Sequence, residues 1–185
     1  MDKEFFDRPA DTVAGELLGC FLVRKTEGET IKGRIVETEA YFGEEDPGSH
    51  AYNGRTERTS LMFDSYGKAY IYLCYGMYDL LNVTTMKNSV GAVLIRAVEP
   101  VSGTETMIEN RGVEDKKALT DGPGKLTQAF GIDRSLNGED LTSGDLRIEE
   151  GDSPEKVRKS GRIGLSEGEE LQLRFFDPSS DFLSE

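Results

Sequence analysis

Residues 70–82 read YIYLCYGMYDLLN, and this stretch predicts a β-hairpin. Alternation places Tyr70 and Tyr72 on one face of the first strand, and an apolar second strand follows the break at Gly76. Four tyrosines within nine residues fit either a sheet face with its rim or a platform on which nucleobases stack. In the second interpretation, Tyr75 at the turn is a wedge for a stack of bases.

The charge of the chain is distributed unevenly. The net charge of −13 over 185 residues opposes nucleic-acid binding if only the sum is considered. Residues 51–100 nevertheless carry five basic and four acidic side chains, a net of +1, and the acid concentrates at 44–46, 145–155 and 167–170. We therefore expect a neutral-to-basic face on an acidic body, whose association with DNA is less sensitive to salt than that of a basic protein.

Length and apolar content favour one domain over residues 1–185, with residues 177–185 as a tail. No apolar run approaches the ~20 residues of a membrane helix, and the N-terminus lacks a secretory core. We expect a soluble cytoplasmic protein, associated with the nucleoid in a prokaryote. Cys20 and Cys74 form no C-x-x-C pair and there is one histidine, so we expect two free thiols and no metal site.

Periodicity and turn signals predict the other elements. Pro123 and Gly131 frame one helix, and Ser102 with Glu105 forms a capping box for the helix before it. The elements expected outside the hairpin are helices over 10–19, 101–112 and 123–131 and strands over 20–25, 31–41, 91–98, 141–150, 162–165 and 171–176.

Several polar residues lie where chemistry is possible. Glu37 and Glu39 share one face of their strand; for a single strand glutamate a solvated role is the more common, and a chemical role is the alternative. Arg96 interrupts an apolar strand, and a buried arginine needs an anion or a carboxylate as partner. The long aperiodic loop over 42–67 carries His50, which we expect as a hydrogen-bond donor.

The combination favours hydrolysis by an activated water molecule. A carboxylate can orient and deprotonate water, Arg96 can hold that carboxylate ionised, and the tyrosines can clamp a flat substrate. The sequence contains no nucleophile elbow, no phosphate-binding loop ending in Lys-Ser/Thr and no dinucleotide fingerprint. Hydride and phosphoryl transfer are therefore disfavoured.

A set of blocks in fixed order resembles the alkyladenine (3-methyladenine) DNA glycosylases of the mammalian type. The blocks are VETEAY (36–41), SHAYNGRT (49–56), YIYLCYGMY (70–78) with Asn82, GAVLIRAVEP (91–100), DGPGKL (121–126) and GRIGL (161–165). The resemblance implies an α+β fold, a single mixed domain with a curved antiparallel β-sheet core, flanking helices and a protruding β-hairpin. It also implies that no metal or organic cofactor is used.

The same resemblance implies a reaction and a site. The reaction is excision of alkylated or deaminated purines (3-methyladenine, hypoxanthine, ethenoadenine class) by base flipping and hydrolysis of the N-glycosidic bond. Glu39 is implied as the water-activating general base, with Arg96 and the backbone carbonyl of Ile163 as the other water contacts. Tyr41 and Tyr72 would stack on opposite faces of the base. His50 and Asn82 complete the implied pocket, Asn82 disfavouring guanine, and the residues implied to contact DNA are Arg55, Tyr75 as the wedge, Met77, Tyr78 and Lys125.

The implied partner is double-stranded DNA containing damaged purines, bound by a monomer with no membrane and no obligatory protein partner. Because no lysine occupies a clear Schiff-base position near Glu39, we predict a monofunctional glycosylase that leaves an intact abasic site. Two alternatives stay open at this point. One is a non-catalytic DNA damage-binding module, and the other is a hydrolase of small purine metabolites, which only the net charge favours.

Overall fold

The structure, a computed structural model, describes residues 1–86, 89–168 and 170–184. Within these residues the strands form one antiparallel sheet in the order β3-β4-β5-β2-β1-β6, and β8 joins both β2 and β7. The strands are β1 Phe21–Lys25, β2 Thr30–Tyr41, β3 Ala69–Cys74, β4 Tyr78–Thr85, β5 Gly91–Ser102, β6 Leu146–Glu149, β7 Arg158–Ser160 and β8 Arg174–Phe176. The α-helices are α1 Ala10–Glu16, α2 Ser60–Asp64, α3 Thr104–Arg111 and α4 Pro123–Phe130.

The strand β2 organises the sheet. It pairs with β5 along one edge, and with β1 and then β8 along the other. Its register against β5 shifts on both sides of Glu37, as at a β-bulge, and such irregularities bend a strand and re-aim its side chains. Beyond this shift, Glu39 lies opposite Leu94. A central strand with a local distortion thus carries the candidate carboxylates.

Helices cover the apolar face of the curved sheet. Leu17 beside α1 and Phe130 of α4 are completely buried in one core with Ile35 of β2. Helix α4 begins at Pro123 and ends before Gly131, whose φ of 60° is the left-handed conformation that glycine favours at a helix end. The predicted α+β fold with a curved antiparallel sheet is confirmed. No helix among the described residues is both long and apolar enough to cross a membrane.

The predicted capping box at Ser102 is wrong. β5 continues through Ser102, whose hydroxyl donates to the backbone carbonyl of Thr30 at 3.1 Å. The residue that precedes α3 is Gly103, with a left-handed φ of 73°. Pairing with β2 therefore takes precedence over the local capping signal. Ser102 pairs with Lys32 of β2, and this pairing provides hydrogen-bond partners for backbone groups that would lack them at the start of a helix.

Two further predictions about the chain path need correction. The strand expected over 162–165 is absent, because Gly164 turns the chain with a left-handed φ of 77°, and the pairing segment is β7 instead. The loop over 42–67 contains the short helix α2, whose Met62 is buried beside Tyr70. Neither departure changes the order of the sheet.

The segment over 177–184, expected as part of a tail, is packed against the sheet. The backbone amide of Asp177 donates to the carbonyl of Val36, and that of Ser184 donates to the carboxylate of Glu37. Both Asp177 and Ser184 are buried. Residue 185 of the predicted tail lies outside the described residues. The segment looks like a tail in sequence because polar contacts, and not a periodic apolar face, hold it in place.

Candidate active site

Strands β2 and β5 bring Glu39 and Arg96 together. The two strands run antiparallel, and the pairing of Thr38 with Ile95 and of Glu39 with Leu94 places the two charged side chains on neighbouring strands. Both side chains are almost entirely buried. The Nη1 atom of Arg96 lies 3.3 Å from Oε2 of Glu39, so the arginine that interrupts an apolar strand has the carboxylate partner it needs.

The carboxylate of Glu39 is held from three sides. The backbone amide of Ile163 donates to Oε1 at 2.8 Å. The hydroxyl of Tyr41 donates to Oε2 at 2.8 Å, and Arg96 completes the set as an ion pair. A carboxylate can accept about four hydrogen bonds, so this arrangement fixes its orientation while leaving acceptor capacity for one more donor, such as water.

The electrostatics keep the two side-chain partners of Glu39, Tyr41 and Arg96, in the protonated forms that can donate hydrogen bonds to it. Burial opposes the charge of Arg96, but the negative charges of Glu39 and Glu37 outweigh it and raise the pKa of the guanidinium above its ordinary value. Burial and the adjacent charge of Glu39 raise the pKa of Tyr41 well above its ordinary value. Tyr41 therefore stays a neutral phenol and Arg96 a cation at any physiological pH.

An aromatic pocket lies next to this carboxylate. A cavity of about 60 Å³ is bordered by Tyr41, His50, Tyr70, Tyr72 and Asn82. The rings of His50 and Tyr72 meet edge to face with centroids 4.5 Å apart. The amide of Asn82 donates to the backbone carbonyl of Tyr70 at 3.0 Å, which fixes the orientation of that side chain. The structure thus brings together all four residues that the motifs imply for the base pocket.

The protonation of His50 follows from its two neighbours. Arg58 Nη2 lies 3.1 Å from Nε2, and because a guanidinium can only donate, Nε2 must accept. The proton is then on Nδ1, which lies 3.2 Å from the hydroxyl of Tyr70. Burial and the charge of Arg58 lower the pKa of His50 to about 4. His50 is therefore neutral at neutral pH, with its hydrogen on Nδ1.

Arg58 lies at the site, although no role was predicted for it from the sequence. Its guanidinium lies 4.9 Å from the centroid of the Tyr72 ring, close enough for a cation-π contact, while it also binds His50. It also lines the larger cleft beside the pocket. The one signal in the sequence was its position in the long loop that also carries His50.

An open cleft joins this pocket to the hairpin. The cleft has a volume of about 620 Å³, within the range of ligand-binding clefts. Its walls include Tyr41, Tyr72 and Arg96 at the inner end and Tyr75 at the outer end. The turn before α4 and the first turn of that helix, which contains Lys125, form another wall. A polymer bound along the cleft would therefore contact the pocket, the hairpin and α4.

The hairpin tip is exposed and apolar. Tyr75 is 83% exposed and Met77 is 68% exposed, and Tyr78 at the base of the turn is partly covered. Tyr75 has a φ of 49°, a left-handed conformation that is costly for a residue other than glycine. A large ring is thus held at the apex in spite of backbone strain, which is the kind of outlier that accompanies a functional position.

The two candidate phosphate contacts are paired with carboxylates. Arg55 forms an ion pair with Asp64, and Lys125 Nζ lies 3.0 Å from Asp121 Oδ1. Both cations are partly exposed, so these pairs are weak enough to exchange for another anion. The nearby carboxylate of Asp121 weakens the attraction of Lys125 for a phosphate.

A buried ion pair between Arg162 and Asp46, which was not predicted from the sequence, stabilises the segment next to Glu39. Arg162 donates to both carboxylate oxygens of Asp46, at 2.7 and 2.6 Å, and to the carbonyl of Ala40 at 3.0 Å. Its guanidinium also lies 4.6 Å from the ring centroid of Tyr41. Because Arg162 directly precedes Ile163, the pair fixes the segment whose amide holds Glu39. The contact joins residues that are 116 apart in sequence, and no local pattern indicates it.

The geometry therefore combines an enclosed, oriented carboxylate, a pocket of flat side chains and an exposed tyrosine at the tip of the hairpin along one cleft. In the described part of the chain, no group of three or more His, Cys, Asp or Glu side chains is arranged to hold a metal ion.

Comparison with known proteins points to one family. The family model described as methylpurine-DNA glycosylase matches residues 4–181. A relative from Chlorobium phaeobacteroides is 46% identical over 176 residues, which cover 93% of this chain and 90% of that protein. One from Methanoculleus marisnigri is 43% identical (97% and 96% covered), and one from Carboxydothermus hydrogenoformans is 42% identical (100% and 98% covered). All three carry the name "Putative 3-methyladenine DNA glycosylase".

Proposed function

This chain belongs to the methylpurine-DNA glycosylase family and is a DNA glycosylase of repair, and we propose which damage it removes and how. The family predicted from the sequence motifs is thereby confirmed. Its substrates in this proposal are alkylated or deaminated purines in double-stranded DNA, of the 3-methyladenine, hypoxanthine and ethenoadenine class. The observation that carries the proposal is the buried carboxylate of Glu39, oriented by three donors beside an aromatic pocket.

Glu39 acts as the general base in this mechanism. A water molecule bound to its free acceptor position gives up a proton to the carboxylate, and the water oxygen forms a bond to the anomeric carbon of the sugar. The N-glycosidic bond breaks and its electron pair leaves with the purine. Arg96 compensates the negative charge of Glu39, and the contact to the amide of Ile163 keeps the carboxylate from rotating.

The pocket supports recognition of damaged purines. Tyr41 and Tyr72 border the cavity and offer flat faces for stacking, which is favourable for cationic alkylpurines through cation-π attraction. Such bases leave easily, so the enzyme mainly has to hold them and present water. Neutral bases such as hypoxanthine have to be protonated as they leave. His50 does not supply that proton at neutral pH, because its pKa is lowered to about 4.

DNA recognition falls to the outer end of the cleft. Tyr75 enters the duplex where the damaged nucleotide is flipped out, and Met77 and Tyr78 contact the minor groove beside it. Arg55 and Lys125 bind phosphates after leaving Asp64 and Asp121. The exchange replaces one carboxylate partner with a phosphate, so it adds specificity of position more than affinity.

Three further features belong to the proposal. The protein acts as a monomer without an obligatory protein partner, since one flipped nucleotide needs one pocket. It is monofunctional and leaves an intact abasic site. Its predicted location is the cytoplasm, next to the nucleoid in a prokaryotic cell.

The test is single-turnover base release by the wild-type protein from duplexes that each carry one hypoxanthine, ethenoadenine or methylated purine. We expect release from at least one of these duplexes and strand breakage only after alkali. A product that is already nicked would contradict the monofunctional mechanism. Binding to a duplex with an abasic-site analogue without any base release would favour a damage sensor. Release from free purine nucleosides alone would favour a metabolite hydrolase.

A further inference from the structure

Glu37, the second carboxylate on β2, is as buried as Glu39 but has different surroundings. Its side chain has no solvent-exposed surface. Oε1 accepts from Arg96 Nε at 3.0 Å, from Arg174 Nε at 2.7 Å and from the hydroxyl of Ser184 at 2.7 Å. Oε2 accepts from the backbone amide of Ser184 at 2.6 Å. Four donors therefore surround this one carboxylate.

The four contacts exclude a direct chemical role for Glu37. Glu37 is completely buried and already accepts four hydrogen bonds from the protein, three at Oε1 and one at Oε2, so its carboxylate is not open to water or substrate. Glu39 by contrast accepts from Tyr41 and Ile163 and is paired with Arg96 at the longer distance of 3.3 Å. The two carboxylates thus have different roles. Glu39 can still bind water, whereas Glu37 binds only other groups of the protein.

Ser184 is the second part of this arrangement. Its hydroxyl donates to Glu37 and accepts from Arg96 Nε at 3.1 Å and from Nη2 at 3.0 Å. A hydroxyl has one hydrogen to donate and two acceptor positions, so every hydrogen-bonding position of this side chain is used. Ser184 lies 147 residues after Glu37 and also borders the large cleft.

These contacts determine the orientation of Arg96. A guanidinium is a rigid plane, so fixing two of its nitrogen atoms fixes the third. Glu37 and Ser184 hold Nε and Nη2, and the remaining Nη1 then points at Glu39. Arg174 also donates to Glu37, and it is held in turn by the hydroxyl of Ser160 at 3.2 Å. Rotation of Arg96 would break several buried hydrogen bonds at once.

We propose that Glu37 and Ser184 form a clamp, the Arg96 clamp, that positions the arginine for the base-release step. Both are positioning residues in this proposal, because they act through Arg96 and do not touch the reacting atoms. The inference rests on the proposed function of Glu39 and Arg96. It assigns to the segment over 177–184, which resembles a tail in sequence, a part in assembling the site.

The experiment compares Glu37→Gln and Ser184→Ala with wild type in single-turnover base release and in binding to a duplex with an abasic-site analogue. We expect a rate constant about 100-fold lower for Glu37→Gln and about 5- to 10-fold lower for Ser184→Ala, with binding changed less than about twofold. Thr38→Val is the matched control. It removes a buried hydrogen bond of 2.8 Å to Ala14 on the other face of the same strand, so it lowers stability without touching Arg96.

A double-mutant cycle separates positioning from loss of structure. In an Arg96→Lys background the fork of the guanidinium is gone, so each clamp substitution should lower the rate constant by less than about twofold. The proposal would be overturned if each clamp substitution lowered the rate constant in the Arg96→Lys background as much as it does in wild type. It would also be overturned if Glu37→Gln and Ser184→Ala released base at the same rate as Thr38→Val. If Glu37→Gln does not fold, Ser184→Ala alone tests the proposal, because the backbone amide of residue 184 still donates to Glu37 in that variant. Absence of base release by the wild type would instead overturn the proposed function, and the clamp with it.

Discussion

The buried cluster around Glu39 and the tip of the β3–β4 hairpin border the same cleft but differ in burial and polarity. Glu37 and Glu39 have no exposed surface, and arginine, tyrosine and backbone donors surround them. Tyr75 at the tip is 83% exposed, in a strained backbone conformation. In the proposed function, the first region has its charged groups oriented before substrate binds, and the second keeps an apolar ring exposed until DNA binds.

In the proposed function, the two regions have different tasks. Activating water requires groups fixed in advance, because an enclosed site strengthens electrostatic interactions and cannot rely on solvent to reorganise. Opening a base stack requires apolar surface that gains by leaving water, since the wedge replaces contacts that the flipped base gives up. Stability and function should therefore be coupled in the buried cluster and separable at the tip.

Arg96→Gln should produce the largest change, because it removes the cation between two buried carboxylates. We expect the free energy of unfolding to fall by about 3–5 kcal/mol and base release to fall at least about 100-fold. Urea denaturation and single-turnover kinetics measure the two effects. Arg34→Gln is the control, since Arg34 also joins two carboxylates, Glu99 and Asp177, but is more exposed and should cost about 1 kcal/mol. Equal losses for the two variants would contradict the special role of the buried cluster.

Tyr75→Asn should separate function from stability. Asparagine tolerates a left-handed φ better than tyrosine, so the variant should be as stable as wild type or slightly more stable. Loss of the ring should slow base release about 10- to 100-fold, in line with the value of one aromatic stacking contact. Thermal unfolding and single-turnover kinetics on the same samples are sufficient. An unchanged rate would remove Tyr75 from the flipping step.

Gly124→Ala tests whether α4 positions the hairpin. A Cβ atom there would lie 2.7 Å from Cγ of Tyr78, so the ring at the base of the hairpin has to move. The better helix propensity of alanine offsets part of the strain, and we expect base release about 5- to 10-fold slower with little change in stability. Gly28→Ala, with no atom within 4 Å of the new Cβ, should leave the rate unchanged. If both variants behave as wild type, α4 does not brace the hairpin.

The smallest effect concerns pH. The pKa of His50 is lowered to about 4 in the folded protein, below its ordinary value of 6.5, so the unfolded chain binds more protons between these values. Wild type should therefore lose stability relative to His50→Gln as the pH falls from 6.5 toward 4, by about 1 kcal/mol because the ring is partly solvated. Unfolding curves of the pair across this range test the sign. A constant difference between them would mean that His50 does not titrate there.

Local sequence patterns were sufficient to predict the hairpin, the helix that starts at Pro123 and the family. Alternation in β2 predicted Glu37 and Glu39 on one face. An arginine in an apolar strand predicted an anion or a carboxylate as the partner of Arg96, and the structure pairs it with both glutamates. These signals work because strand period, turn residues and burial of charge act over a few residues.

The remainder depends on contacts between distant segments. Ser184 reaches Glu37 across 147 residues, and Arg162 reaches Asp46 across 116. Neither segment has a period that would indicate burial, and polar residues such as those over 177–184 resemble a tail when read alone. The capping signal at Ser102 failed for the related reason that pairing of β5 with β2 overrides local preference. Polar contacts that close a site are set by the assembled fold, so the sequence does not display them locally.

The most direct test of the account is single-turnover base release by wild type and Glu39→Gln, measured together with their binding to a duplex containing an abasic-site analogue. If the buried carboxylate activates water while the hairpin recognises DNA, Glu39→Gln should release base about 10²- to 10⁴-fold more slowly and bind the duplex within about twofold of wild type. Release by Glu39→Gln at the wild-type rate would contradict the account, because the reaction would then depend on another group.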